Sequence, residues 1–150
     1  MSVNVKKDLY LSLKTEWFNL TKSGIKTEDY RSINGYWVKR LILLKQENIK
    51  IKDIIQWIDD KDLLFFNKMC SFKPFTNNIM TLGYPKSTDS DRILKLEHKG
   101  IEIRTGNPAW GAEPNKLYFV IMHGQTSMEI QNMDSELRYW SEVKRCVNSY

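Results

Sequence analysis

The run Leu117-Tyr118-Phe119-Val120-Ile121-Met122 is apolar at nearly every position. A strand with one wet face alternates apolar with polar side chains, so an unbroken apolar run predicts a strand covered on both sides and central in a sheet. A second signal is of the opposite kind. Leu9-Tyr10-Leu11-Ser12-Leu13 alternates with period two, which predicts a strand whose leucines all face one core. Strand patterns return over Asn78 to Leu82 and Ile93 to His98, and Ile101 and Ile103 continue the sheet beyond Lys99-Gly100, a turn or a bulge.

Helical spacing lies between these strands. Thr15 offers an N-cap, Trp17, Phe18, Leu20 and Thr21 share a helical face, and Gly24 supplies the stop. The polar stretch Lys26 to Arg31 then reads as a short strand, with Lys26, Glu28 and Tyr30 on one side and Thr27, Asp29 and Arg31 on the other. Arg40 to Leu44 fits a helix or an apolar strand. Ile51, Ile54, Ile55 and Ile58 predict a helix, followed by a helical or irregular piece over Leu63 to Met69. Prolines and glycines break up residues 105–116, which form an ordered loop if Trp110 packs inward. Near the C-terminus, Asp134 or Ser135 can cap a helix lined by Leu137, Trp140, Val143 and Val147. Many short strands with separate helices predict an α+β fold, a small β-barrel decorated by helices, over βαβ repeats.

A length of 150 residues suits one domain, spanning 1–150 with residues 126–150 as its C-terminal helical extension. The formal charge of +5 belongs entirely to the first half, where residues 1–75 hold 14 basic and 9 acidic side chains. Such an excess is compatible with nucleic acid, and equally with solubility alone. Met1 to Asp8 carry neither a signal-peptide core nor a membrane span, so the expectation is a cytoplasmic protein with no membrane partner. Cys70 and Cys146 stand apart from any metal or redox cluster and read as buried free thiols, although two thiols close in space could bridge. His98 and His123 are too few for a multi-histidine metal centre, and no phosphate-binding glycine loop calls for a nucleotide cofactor. Neither metal nor cofactor is expected.

The segment Gly24-Ile25-Lys26-Thr27-Glu28-Asp29-Tyr30-Arg31, following Leu11-Ser12-Leu13-Lys14 and the Trp17-Phe18 helix, resembles the signature of the ASCH superfamily. The resemblance extends to Tyr36-Trp37 with Arg40-Leu41, to Gly83-Tyr84-Pro85 and to Gly106-Asn107-Pro108-Ala109-Trp110-Gly111-Ala112-Glu113-Pro114, as in a group found in phages and prophages of Gram-positive bacteria. It covers roughly residues 9–124. It implies a PUA-like barrel with a cleft beside the first helix, and RNA as the ligand. Some members resembling this chain hydrolyse acylated cytidine, and another behaves as a ribonuclease. In the hydrolase pattern the lysine is catalytic, which falls on Lys26. The catalytic threonine position is Asp29 here, so the nucleophilic hydroxyl is missing, and Glu97, Glu102 and Glu113 are available as the acid.

Lys26 can pair with phosphate, act as a base if burial lowers its pKa, or simply be solvated behind the helix. Arg31 can clamp a phosphate or pair with Glu28 or Asp29. A carboxylate of that pair can orient Lys26 or accept from a base edge. Catalysis would need Lys26 to activate Thr27 or a water, with Glu113 serving the leaving group. Tyr36, Trp37, Tyr84 and Trp110 offer stacking rings, with core packing as the rival role for the tryptophans. Lys14, Lys22, Lys39 and Arg40 are candidate phosphate contacts. These residues predict an RNA- or nucleoside-binding domain first, a hydrolase of N-acylated cytidine or a ribonuclease second, and a phage accessory protein binding a host protein third. An open sheet edge also leaves room for a homodimer.

Overall fold

The computed structural model describes residues 7–126. The elements run β1 (Lys7–Leu13), α1 (Thr15–Lys22), β2 (Glu28–Arg31), α2 (Gly35–Leu41), β3 (Ile42–Leu44), α3 (Ile51–Asp59), α4 (Leu63–Met69), β4 (Cys70–Phe72), β5 (Phe75–Leu82), β6 (Ile93–Thr105) and β7 (Leu117–Thr126). Five strands form one sheet in the order β1-β5-β6-β7-β2, and β3 pairs with β4 in a separate ribbon. β1 runs parallel to β5, with Leu9 beside Asn78 and Leu11 beside Met80, and every other pair in the larger sheet is antiparallel. The result is an α+β fold with a curled, open mixed sheet decorated by helices.

The apolar run that predicted a doubly covered strand forms the heart of β7. Phe119 and Ile121 pack into the main core with Leu9, Leu11, Phe18, Leu41, Ile54, Ile58 and Met80. Tyr118 and Val120 pack on the other face with Ala112, against the half-buried Tyr30 and Met122. Alternation on β1 holds as well, since Leu9, Leu11 and Leu13 are buried while Tyr10 is exposed. On α3, Ile54 and Ile58 are completely buried, and full burial of such side chains contributes about 1.5–3 kcal/mol each.

Several local expectations are corrected. Thr15 is the first helical residue of α1 and not its cap: Lys14 occupies the cap position, without a side-chain cap bond, because β1 enters the helix with a single residue between them. Gly24 does end the helix in the left-handed region, at φ 83°. Arg40 to Leu44 is both things at once: α2 ends at Leu41 and β3 begins at Ile42. Lys99-Gly100 is an irregularity inside one long strand, since β6 continues from Ile93 to Thr105 with register shifts between Leu96 and His98 and between His98 and Gly100.

β1 and β2 are the two edges of the sheet and share no ladder. β2 is only four residues long before the chain turns towards Asn34, the cap of α2, so little of it can run beside β1. A side chain makes the connection instead: Arg31 Nη2 donates to the Ser12 carbonyl at 2.8 Å. Cys70 is a buried free thiol, raised above its usual pKa by that burial. Cys146 and the helix read over residues 126–150 lie outside the described residues, apart from Thr126 at the end of β7. Among the described residues no helix is long and apolar enough to cross a membrane.

Candidate functional site

A cleft of about 730 Å³ opens along the edge of β1, walled by α2 and by the Gly83-Tyr84-Pro85 turn. Arg31, Tyr36, Trp37, Arg40 and Tyr84, all expected in the ligand site, line it together with Tyr10, Ser12, Ile79 and Ile93. The cleft exists because of how α2 starts. Asn34 Oδ1 accepts from Trp37 N at 3.0 Å, and this cap sets the first turn so that Tyr36, Trp37 and Arg40 project towards β1.

Both guanidinium groups lie against aromatic rings. Arg31 sits 4.9 Å from the Trp37 ring centre, and Arg40 sits 5.0 Å from Trp37 and 5.3 Å from Tyr36. Arg40 also donates to the Tyr10 carbonyl at 3.0 Å and to the Tyr36 hydroxyl at 2.5 Å. Tyr10 and Ser12 carbonyls both belong to the outer edge of β1, and the two arginines therefore cover a strand edge that would otherwise offer bare acceptors. Tyr84 is 96% exposed at the rim, ready to stack against a planar ligand.

Lys26 occupies a different place from the one its motif suggested. It is 2% exposed, it does not line the cleft, and its amine donates to the Glu28 carbonyl while lying 3.5 Å from Asp29 Oδ1. Burial holds its pKa below the ordinary lysine value, with Asp29 pulling the other way. The Asp29 carboxylate in turn pairs with Arg31 Nε at 2.6 Å. Lys26 thus reaches the cleft only through Asp29 and Arg31. Strict alternation fails to place its amine because β2 begins at Glu28, beyond Lys26.

Glu28 and Asp29 do face opposite ways. On the far side of β2, Glu28 is held by a bidentate contact from Arg104, with Nη1 to Oε2 at 3.2 Å, and by the Tyr30 hydroxyl at 2.8 Å. Burial pushes the Glu28 carboxyl up, but these hydrogen bonds outweigh it and leave the pKa below the usual carboxylate value. Tyr30, half-buried and bonded to that carboxylate, is pushed up to about 12. Its hydroxyl accepts from Asn107 N at 2.8 Å, which ties down the loop after β6.

The remaining expected residues scatter. Of the catalytic candidates Lys26 and Asp29 meet at 3.5 Å, whereas Glu113 is largely exposed and pairs with Lys116 at 3.8 Å. Lys14 and Thr27 are exposed and outside the cleft wall, as is the half-buried Trp110. The loop carrying Trp110 is ordered by other contacts: Gly111 sits so close to Trp17 that a Cβ there would lie 2.8 Å from Cζ2. Among the described residues no three His, Cys, Asp or Glu side chains converge as metal ligands.

Tyr10 and Ser12 escaped the sequence reading, although their signal was visible. If the leucines of β1 face the core, the residues between them must face something else. Arg104 as the partner of Glu28 had no local signal, being 76 positions away. Comparison with family models, with curated proteins and with solved structures finds no match to this chain, so the site rests on its own geometry.

Proposed function

We propose that the protein is an RNA- or nucleoside-binding domain of the ASCH type, that its open sheet corresponds to a PUA-like barrel, and that the ligand enters the cleft between β1 and α2. The observation that carries this reading is the cleft wall itself. Trp37 lies under two guanidinium groups and faces a volume of about 730 Å³, with an almost fully exposed Tyr84 at the rim. Rings and cations together are what stacking bases and a polyanionic backbone require. The cationic excess of residues 1–75 supports the same reading. Titration with short single-stranded RNA at several salt concentrations tests it. Affinity that falls with added salt and with Tyr84→Ala is expected, and absence of binding at low salt counts against the proposal.

One observation keeps a hydrolase of N-acylated cytidine as the second reading. Lys26 has a pKa lowered by burial and touches Asp29, the position that carries a hydroxyl in the pattern it resembles. Against it stand the 2% exposure of Lys26 and the pairing of the exposed Glu113 with Lys116. Turnover of N4-acetylcytidine, lost in Lys26→Met, would favour this reading over simple binding.

A further inference from the structure

The two arginines of the cleft differ in a way that bears on what the ligand must carry. Arg31 is already compensated: its Nε pairs with Asp29 and its Nη2 is spent on the Ser12 carbonyl. Arg40 is not. Its two hydrogen bonds go to neutral oxygens, the Tyr36 hydroxyl and the Tyr10 carbonyl, and no carboxylate pairs with it among the described residues. Among the described residues the cleft wall holds no acidic side chain. A guanidinium has five N–H donors in a planar fork, so three of those on Arg40 remain to be used. The Tyr36 and Trp37 rings beside it displace water from the guanidinium, which strengthens any charge-assisted bond formed there.

From this asymmetry we infer that the cleft selects a phosphorylated ligand, a nucleotide or the phosphodiester of a strand, over the bare nucleoside, and that Arg40 is its phosphate anchor. The inference rests on the cleft reading given above and narrows it. Arg31 has a positioning role: held by Asp29 and Ser12, it fixes the Trp37 ring against which Arg40 also lies. An uncharged nucleoside would fill the apolar part of the cleft, made by Ile79, Ile93, Trp37 and Tyr84, while leaving the Arg40 charge unanswered. A phosphate answers it with the geometry for which a planar fork is suited.

The test uses the full chain and follows tryptophan fluorescence or heat on titration with adenosine and cytidine, with their 5′-monophosphates, with inorganic phosphate and with a short oligoribonucleotide. The monophosphates should bind at least roughly tenfold tighter than the nucleosides, the factor expected of a charge-assisted bond. Arg40→Gln, which keeps part of the stem and some donors, should bring the two classes to within about threefold. For the oligoribonucleotide it should reduce the slope of log affinity on log salt by about one phosphate's worth. Tighter binding of the monophosphates identifies a free nucleotide as sufficient, and a response confined to the oligoribonucleotide assigns the anchor to a phosphodiester; either supports the inference. Equal binding of nucleosides and monophosphates, unchanged in Arg40→Gln, overturns the anchor while leaving nucleoside recognition standing. Binding of none of these probes overturns the cleft reading itself. Circular dichroism of Arg40→Gln separates lost folding from lost contact, and Arg40→Lys, retaining charge without the fork, should recover part of the discrimination.

Discussion

Arg31, on one edge of the sheet, donates from Nη2 to the carbonyl of Ser12 on the other edge at 2.8 Å, while its Nε holds Asp29 at 2.6 Å. One side chain thereby spans the opening of the curled sheet, orients a wall of the cleft and neutralises a carboxylate that is 5% exposed. The same contact links Lys26, through Asp29, to a cavity it does not line.

Removing that bridge should be expensive. Arg31→Ala leaves Asp29 with Lys26 as its remaining cation and should cost about 1–3 kcal/mol, the penalty of under-satisfying a buried polar group, reduced somewhat by the partial exposure of Arg31. Urea denaturation of Arg31→Ala, Asp29→Asn and the double variant should show coupling: the double variant should be less destabilised than the sum of the two. Additive effects would mean that the pair does not act as a unit.

Tyr84→Ala should behave in the opposite manner. At 96% exposure the ring supports little of the fold, so stability should change by less than about 0.5 kcal/mol. Affinity for single-stranded RNA should fall by an amount near the ~1–3 kcal/mol of one stacked base. Lys14→Ala, outside the cleft wall, should weaken affinity less than Tyr84→Ala does. The reverse order would move the ligand away from the cleft.

Acid should weaken the fold through its histidines. His98 and His123 are both held below the ordinary 6.5 by burial. His123 Nε2 donates to the Lys26 carbonyl at 3.0 Å, since a carbonyl can only accept, and its buried Nδ1 has no partner among the described residues. Below 6.5 the unfolded chain binds protons that the folded chain refuses. Stability is therefore complete above 6.5 and is lost as pH falls towards the folded values. His123→Gln retains a donor for Lys26 without the titrating ring, and its loss of stability between pH about 7 and about 5 should be smaller than that of the unaltered protein. Urea midpoints measured across that interval check it, and identical profiles would exclude His123 as a contributor.

Gly111 and Gly24 both have positive φ, yet their alanine variants should differ. At Gly24, φ 83°, nothing lies within 4 Å of the added Cβ, so the cost is backbone strain alone, about 1–2 kcal/mol. At Gly111, φ 98°, the Cβ would meet Trp17 Cζ2 at 2.8 Å, and overpacking adds about 1–3 kcal/mol to the strain. Thermal unfolding should therefore rank Gly111→Ala well below Gly24→Ala. A shift in Trp17 fluorescence should accompany only the former.

Periodicity carried most of the element reading, because period two on β1 and the apolar run of β7 record which faces are covered, and coverage is a local property of the chain. Rings and cations at Arg31, Tyr36, Trp37, Arg40 and Tyr84 were visible as residue types in suitable places, and all five line one cleft. The destination of the Lys26 amine was not legible from the strand pattern: the amine turns to the Glu28 carbonyl and Asp29 and does not line the cleft. Whether an amine reaches solvent or a carboxylate depends on Asp29 beside it and on the strands that cover both.

The amino-acid sequence by itself determined the strands β1, β5, β6 and β7, the helices α1 and α3, the covered faces of β1 and β7 and the cationic character of the first half, since each follows from the order of side chains along a short stretch of backbone. Only the tertiary structure decided that Arg31 would join Ser12, that Arg104 would claim Glu28 and that Arg40 would keep an unpaired charge beside Trp37. Those outcomes depend on which groups distant in sequence meet at the edges of a curled sheet, and pairing in space, unlike periodicity, is not written in the spacing of neighbours.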